Sequence, residues 1–108
     1  MVDRELVAAT SKPLILSILR EGDSYGYEII QRVSGLTDDE LKWTDSMLYP
    51  VLHRLEKSGW VTSYWQASPT GRKRKYYSVT EAGLAGLEER KRQWRIVGDA
   101  LAELWARE

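Results

Sequence analysis

The chain has no cysteine, no phenylalanine and a single histidine. Without cysteine neither a disulfide framework nor a thiolate metal site can form. One histidine leaves only carboxylates as further ligands, so neither a metal nor another cofactor is expected. No apolar run reaches membrane-spanning length, and Met1-Val2-Asp3-Arg4-Glu5 lacks the basic-then-apolar layout of a signal segment. The expectation is a soluble, cytoplasmic protein that does not touch a membrane. Net charge is missing too, because 16 acidic and 16 basic side chains cancel. A length of 108 residues suits one domain with a modest core. In place of phenylalanine stand five Trp and six Tyr. These aromatics carry a polar group and suit half-exposed or interfacial positions.

The zero charge hides a strong asymmetry. Residues 1–45 carry nine acids and five bases, residues 46–80 one acid (Glu56) and six bases, and residues 81–108 six acids and five bases. One concentrated basic segment on an otherwise acidic or neutral body directs an anionic partner to a single surface.

The apolar spacing predicts a first helix over residues 3–20, through Leu6, Val7, Leu14, Ile15, Ile18 and Leu19. Pro13 divides it. Either the helix proper begins there with Ser11 as cap, or a longer helix is kinked. A second helix is expected over 25–34, capped by Asp23 or Ser24, with Ile29, Ile30 and Val33 inward and Gly35 as stop. Gly26, between Tyr25 and Tyr27, would let another backbone approach closely. Residues 35–43 read as an acidic loop whose Leu41 and Trp43 suit a short extended piece.

Thr44 or Asp45 then caps the helix that organises the chain. Leu48, Val51, Leu52 and Leu55 fall at i, i+3, i+4 and i+7, one apolar stripe ending before Gly59 at the expected left-handed cap. Ser46, Pro50, His53 and Lys57 gather on the opposite face, flanked by Tyr49 and Arg54. Pro50 breaks the helical ladder, which invites a functional reason. After Gly59 the pattern turns to β. Residues 60–65 read as one strand, 67–71 as a turn, and 73–79 as a returning strand that begins in the run Arg72-Lys73-Arg74-Lys75. In a strand such a run alternates between faces, so at least two cations point away from any core.

Thr80 caps a final helix. Leu84, Leu87, Lys91, Trp94, Gly98, Leu101 and Trp105 form a seam spaced alternately three and four apart, widened by Val97 and Leu104. Such a helix runs about 40 Å, more than so small a body can cover. Its outer half would expose a long apolar face, which marks an association surface. A homodimer is therefore expected through Leu6, Leu84, Leu87, Lys91, Trp94, Leu101, Leu104 and Trp105. Lys91 and Gly98 interrupt the seam and would leave room beside Trp94.

Three helices followed by a two-stranded hairpin, with cations on the third helix and on the hairpin, describe a winged helix-turn-helix. The fold class is thus mainly α with a small β-hairpin, divided into a DNA-binding unit (1–79) and a C-terminal dimerisation helix (80–108). The third helix suits a major groove and the wing suits phosphates or a minor groove. Candidate contacts to double-stranded DNA are Ser24, Tyr25, Thr44, Ser46, Tyr49, Pro50, His53, Arg54, Lys57, Arg72, Lys73, Arg74 and Lys75. An enzyme is not expected: Ser46, His53 and Asp45 superficially offer nucleophile, base and orienter, but at that spacing on one helix they do not converge. The other alternative is a winged helix used for protein contact without DNA binding, with Tyr25, Tyr27 and the hairpin as the contact surface.

Ser24-Tyr25-Gly26-Tyr27-Glu28-Ile29, the run from Leu48 to Trp60, and the run from Gly71 to Gly83 together resemble the PadR-type bacterial transcriptional regulators, of the short kind with one C-terminal helix. The resemblance covers nearly the whole chain. It implies a dimeric repressor whose last helix pairs with its partner's first and last helices, and whose hold on DNA a small aromatic or drug-like effector relieves. It also implies that Trp94, with Val97 and Gly98 beside it, lines the effector site. Met47 stands where the family more often has Thr or Ser.

Overall fold

The computed structural model describes residues 1–108. Helix α1 (Arg4–Glu21) leads into strand β1 (Ser24–Tyr25) and helix α2 (Gly26–Leu36). Helix α3 (Asp45–Lys57) follows, then strands β2 (Val61–Ala67) and β3 (Lys73–Val79) and the long helix α4 (Glu81–Trp105). This is the expected winged helix-turn-helix with a C-terminal helix. No helix is long and apolar enough to cross a membrane.

α1 is continuous through Pro13. It starts at Asp3, whose carboxylate accepts from the Leu6 amide (3.1 Å), so Ser11 is not a cap and instead donates to the Ala8 carbonyl (3.1 Å). α2 is longer than expected at its C-terminal end: Gly35 lies inside it and the chain leaves at Thr37, whose hydroxyl donates to the Val33 carbonyl. Neither Asp23 nor Ser24 caps α2. Leu41 and Trp43 form no strand, yet both side chains are buried.

The sheet has three strands in the order β1-β3-β2, one more than expected. Ser24 pairs with Tyr77 and Tyr25 with Tyr76, while β2 and β3 pair from Val61↔Val79 to Ala67↔Lys73. A two-residue strand carries no alternation to read, so only its partner reveals it. The stripe Leu48, Val51, Leu52 and Leu55 shares one core with Ile15, Leu16 and Leu19 of α1, Ile29 and Val33 of α2, Val61 and Tyr77 of the sheet, and Leu87 of α4. Fully burying each large aliphatic chain stabilises the fold by about 1.5–3 kcal/mol, so this stripe holds α3 in place. The first turns of α4 share that core. From Arg92 onward every residue is exposed, which gives a molecule 56 Å long and 30 × 21 Å across.

Candidate nucleic-acid interface

α3 is closed at both ends by its own sequence. The Thr44 hydroxyl accepts from the Met47 amide (3.3 Å) and lies 3.1 Å from the Ser46 hydroxyl. At the other end Gly59 takes φ 79°, the Gly59 amide donates to the Glu56 carbonyl and the Trp60 amide to the Leu55 carbonyl. That is the paired-bond helix stop a left-handed glycine permits. Between these ends Ser46, Pro50, His53, Arg54 and Lys57 are all exposed, opposite the buried stripe. Pro50 remains within the helix.

The wing is stiffened by an aromatic row that the register creates. Tyr25, Tyr76 and Tyr64 lie abreast across β1, β3 and β2. Tyr64 stacks on Tyr76 with centroids 5.7 Å apart, and Tyr76 meets Tyr25 edge-on at 5.3 Å. The Tyr64 hydroxyl donates to the Asp23 carboxylate (2.7 Å), and that bond raises the Tyr64 pKa. The Arg74 guanidinium lies 4.4 Å above the Tyr25 ring, and the Lys75 ammonium lies 5.6 Å from the Tyr77 ring on the other face. Arg74 and Lys75 thus point to opposite faces, as neighbours in a strand must. The turn closes through the Ser68 amide to the Arg72 carbonyl (2.6 Å), with Gly71 at φ 89°.

Wing and helices enclose one cleft of about 520 Å³, lined by Tyr25, Tyr27, Tyr49, Trp65, Arg72, Lys73, Arg74 and Lys75. Six of these eight are among the candidate contacts. The other two, Trp65 and Tyr27, are both 65% exposed and lie outside the expected DNA contacts. An exposed tryptophan in a strand gives no pattern until its register partner, Lys75, places it among cations. Tyr49 stands where α3 meets this cleft. Its hydroxyl is tucked against Gly26, so a side chain rather than a backbone uses the space the glycine leaves. Burial, then Asp45, raises the Tyr49 pKa; burial, then Tyr49 and Glu56, raises that of Tyr77. Both hydroxyls keep their protons at neutral pH; Tyr49 lines the cleft as a donor, whereas Tyr77 lies in the core. Phosphate is the chemistry that such a cationic, donor-rich cleft can hold.

Two expected positions are corrected. Ser24 is only 2% exposed and its hydroxyl donates to the Glu28 carboxylate (2.6 Å), so it ties β1 to α2 and offers no donor to a ligand. Leu87 is 1% exposed within the subunit's own core and is not part of a free seam. Leu84 is half-buried, whereas Leu6, Trp94, Leu101, Leu104 and Trp105 are exposed. Lys91, half-buried, donates to Glu88 (3.2 Å). A mostly apolar groove of about 360 Å³ runs beside Trp94 between α1 and α4, past Val2, Leu6, Leu14, Leu41, Leu87 and Lys91. Val97 lines a smaller groove with Ala9 and Arg90, and Gly98 has nothing within 4 Å of where a Cβ would stand.

Residues 15–89 match the Transcriptional regulator PadR-like family. The chain is 35% identical over 101 residues to an uncharacterized protein of Lysinibacillus sphaericus, covering 94% of this chain and 93% of that one. Among solved structures it is similar to a transcriptional regulator from Clostridium thermocellum, with TM-score 0.85, 30% identity and coverage of 95% of this chain and 97% of that one. It is also similar to a PadR-like transcriptional regulator from Bacillus cereus, with TM-score 0.83, 30% identity and coverage of 94% and 96%. The chain therefore belongs to the PadR-like family of transcriptional regulators, whose members regulate transcription and are not enzymes.

Proposed function

We propose that the protein binds double-stranded DNA in a sequence-specific way as a cytoplasmic homodimer on an inverted repeat, and that it represses transcription. The observation that carries this reading is the single cleft shared by the four wing cations, Tyr25 and Tyr49, beside an α3 whose polar face is exposed along its length. α3 reads base edges in the major groove: Ser46, Tyr49, His53 and Lys57 donate, and Pro50 offers an apolar surface to a thymine methyl. Arg54 and Thr44 flank that contact. Arg72, Lys73, Arg74 and Lys75 hold the backbone and set the register. Residues 80–108 supply the dimer contact, through Leu84, Trp94, Leu101, Leu104 and Trp105 with Leu6 of the partner's first helix, and so space two copies of α3 on successive major-groove turns.

Selection of bound duplexes from random DNA, followed by titration against salt, tests this reading. Affinity should fall steeply with salt. Lys73→Ala should weaken every duplex alike and flatten the salt slope by roughly one unit, whereas His53→Ala should cost about 1–3 kcal/mol at particular base pairs only. Affinity indifferent to salt would instead favour the protein-contact reading, which the exposure of Tyr27 and Trp65 supports.

The groove beside Trp94 supports release by a small planar aromatic effector, and Trp94 also lines the smaller groove that holds Val97. Such compounds should quench tryptophan emission in the wild type but far less in Trp94→Ala, with the dimer intact. Failure of a varied set to quench would leave Trp94 as seam packing alone.

A further inference from the structure

A single exposed tryptophan is unremarkable on a protein surface, but Trp65 has a placement that asks for a ligand. It stands directly across β2–β3 from Lys75, with Lys73 two residues further along the same strand. It also walls the cationic cleft with Tyr25, Tyr27 and Tyr49. Most of it is uncovered in the subunit, with 65% of its surface open to water. Cations on the rim and aromatic rings in the wall match one strand of a sugar–phosphate backbone, which alternates charged phosphates with the apolar edges of deoxyribose. An indole can meet both parts. Its ring packs on the sugar and its N–H, which can only donate, is free to reach a phosphate oxygen.

We propose that Trp65 is a DNA-backbone contact, holding the strand that lies in the cleft between the wing and α3. This rests on the DNA-binding reading above and adds a residue and a kind of force to it. The wing cations gain affinity by displacing counterions, and that gain fades as salt rises. The indole displaces none. Its contribution is independent of sequence, like that of the lysines, yet salt leaves it in place.

The test is a pair of salt titrations with the full-length chain and short labelled duplexes, one of scrambled sequence and the tightest one recovered by selection. Trp65→Ala should lower affinity for both roughly tenfold, the size of a lost aromatic contact. Its plot of log affinity against log salt should run parallel to that of the wild type. Trp65→Phe, which keeps the ring packing but lacks the N–H, should recover part of the loss. Lys73→Ala should by contrast change the slope. Because Trp65 is exposed, its thermal unfolding should match the wild type, which excludes a folding defect. Unchanged affinity in Trp65→Ala, with Lys73→Ala still impaired, would remove the indole from the interface while leaving the DNA reading intact. A slope flattened as in Lys73→Ala would mean that Trp65 only positions the cations. If the wild type bound neither duplex, both readings would fall together.

Discussion

A methyl group at Gly83 would run into the Trp60 backbone carbonyl and the Val79 side chain, and at Gly86 into the Trp60 ring. These two glycines let α4 sit directly on the start of β2, where the Thr80 amide donates to the Trp60 carbonyl (3.0 Å). At Gly26 a methyl would instead meet only the far end of Tyr49. A backbone cannot swing aside as a half-exposed tyrosine can. Gly83→Ala should therefore lower stability by about 1–3 kcal/mol, the usual range for overpacking, seen as a shift of the urea midpoint without a change of slope. Gly26→Ala should shift it little. Equal costs at both positions would contradict this account of the α4 contact. From the sequence alone Gly26 was legible as a site of close approach, but the visitor was not, because Tyr49 lies 23 residues further along the chain.

At the scale of elements, α3 was readable nearly to the residue, since stripe, cap and glycine stop all fall in one short window. β1 was not. Its two residues look like a helix cap until Tyr76 and Tyr77 pair with them. α4 carries its own electrostatic support. Arg92 donates twice to Glu89 (2.8 and 2.9 Å), Gln93 donates once more (3.2 Å), and Arg92 and Gln93 pull the Glu89 carboxyl down to about 2. A carboxyl lowered on folding contributes stability that is present above its ordinary range and lost as pH falls through the lowered value. Helix content should thus decline as pH drops from the ordinary carboxylate range toward about 2. Glu89→Gln should be less helical at neutral pH and lose less on acidification by circular dichroism. The pair is fully exposed, so the effect should be small and should shrink with added salt. An acid response identical in both proteins would show that the pair does not act in solution.

For the whole molecule, Val97, Leu101, Leu104 and Trp105 leave an apolar face of α4 open to water in a lone subunit. A second copy of the chain is the proposed cover. Leu101→Glu should yield monomers by sedimentation at concentrations where the wild type is dimeric, with thermal unfolding of the body little changed because Leu101 lies outside the core. Affinity for an inverted repeat should fall on the order of a hundredfold, since each half-site would then be held alone. A variant that stays dimeric would place the interface elsewhere.

Periodicity and local capping, both short-range, already dictated four helices, a hairpin and the basic segment, because each needs only neighbours within a few residues of chain. Which polar groups remain available is a different matter. Ser24 looks like a donor until Glu28 takes its hydroxyl, and Leu87 looks like seam until the core encloses it. Trp65 is one aromatic among eleven until strand register sets it opposite Lys75 beside the α2 and α3 tyrosines. Those assignments rest on contacts between residues far apart in the chain. Only packing in three dimensions decides them.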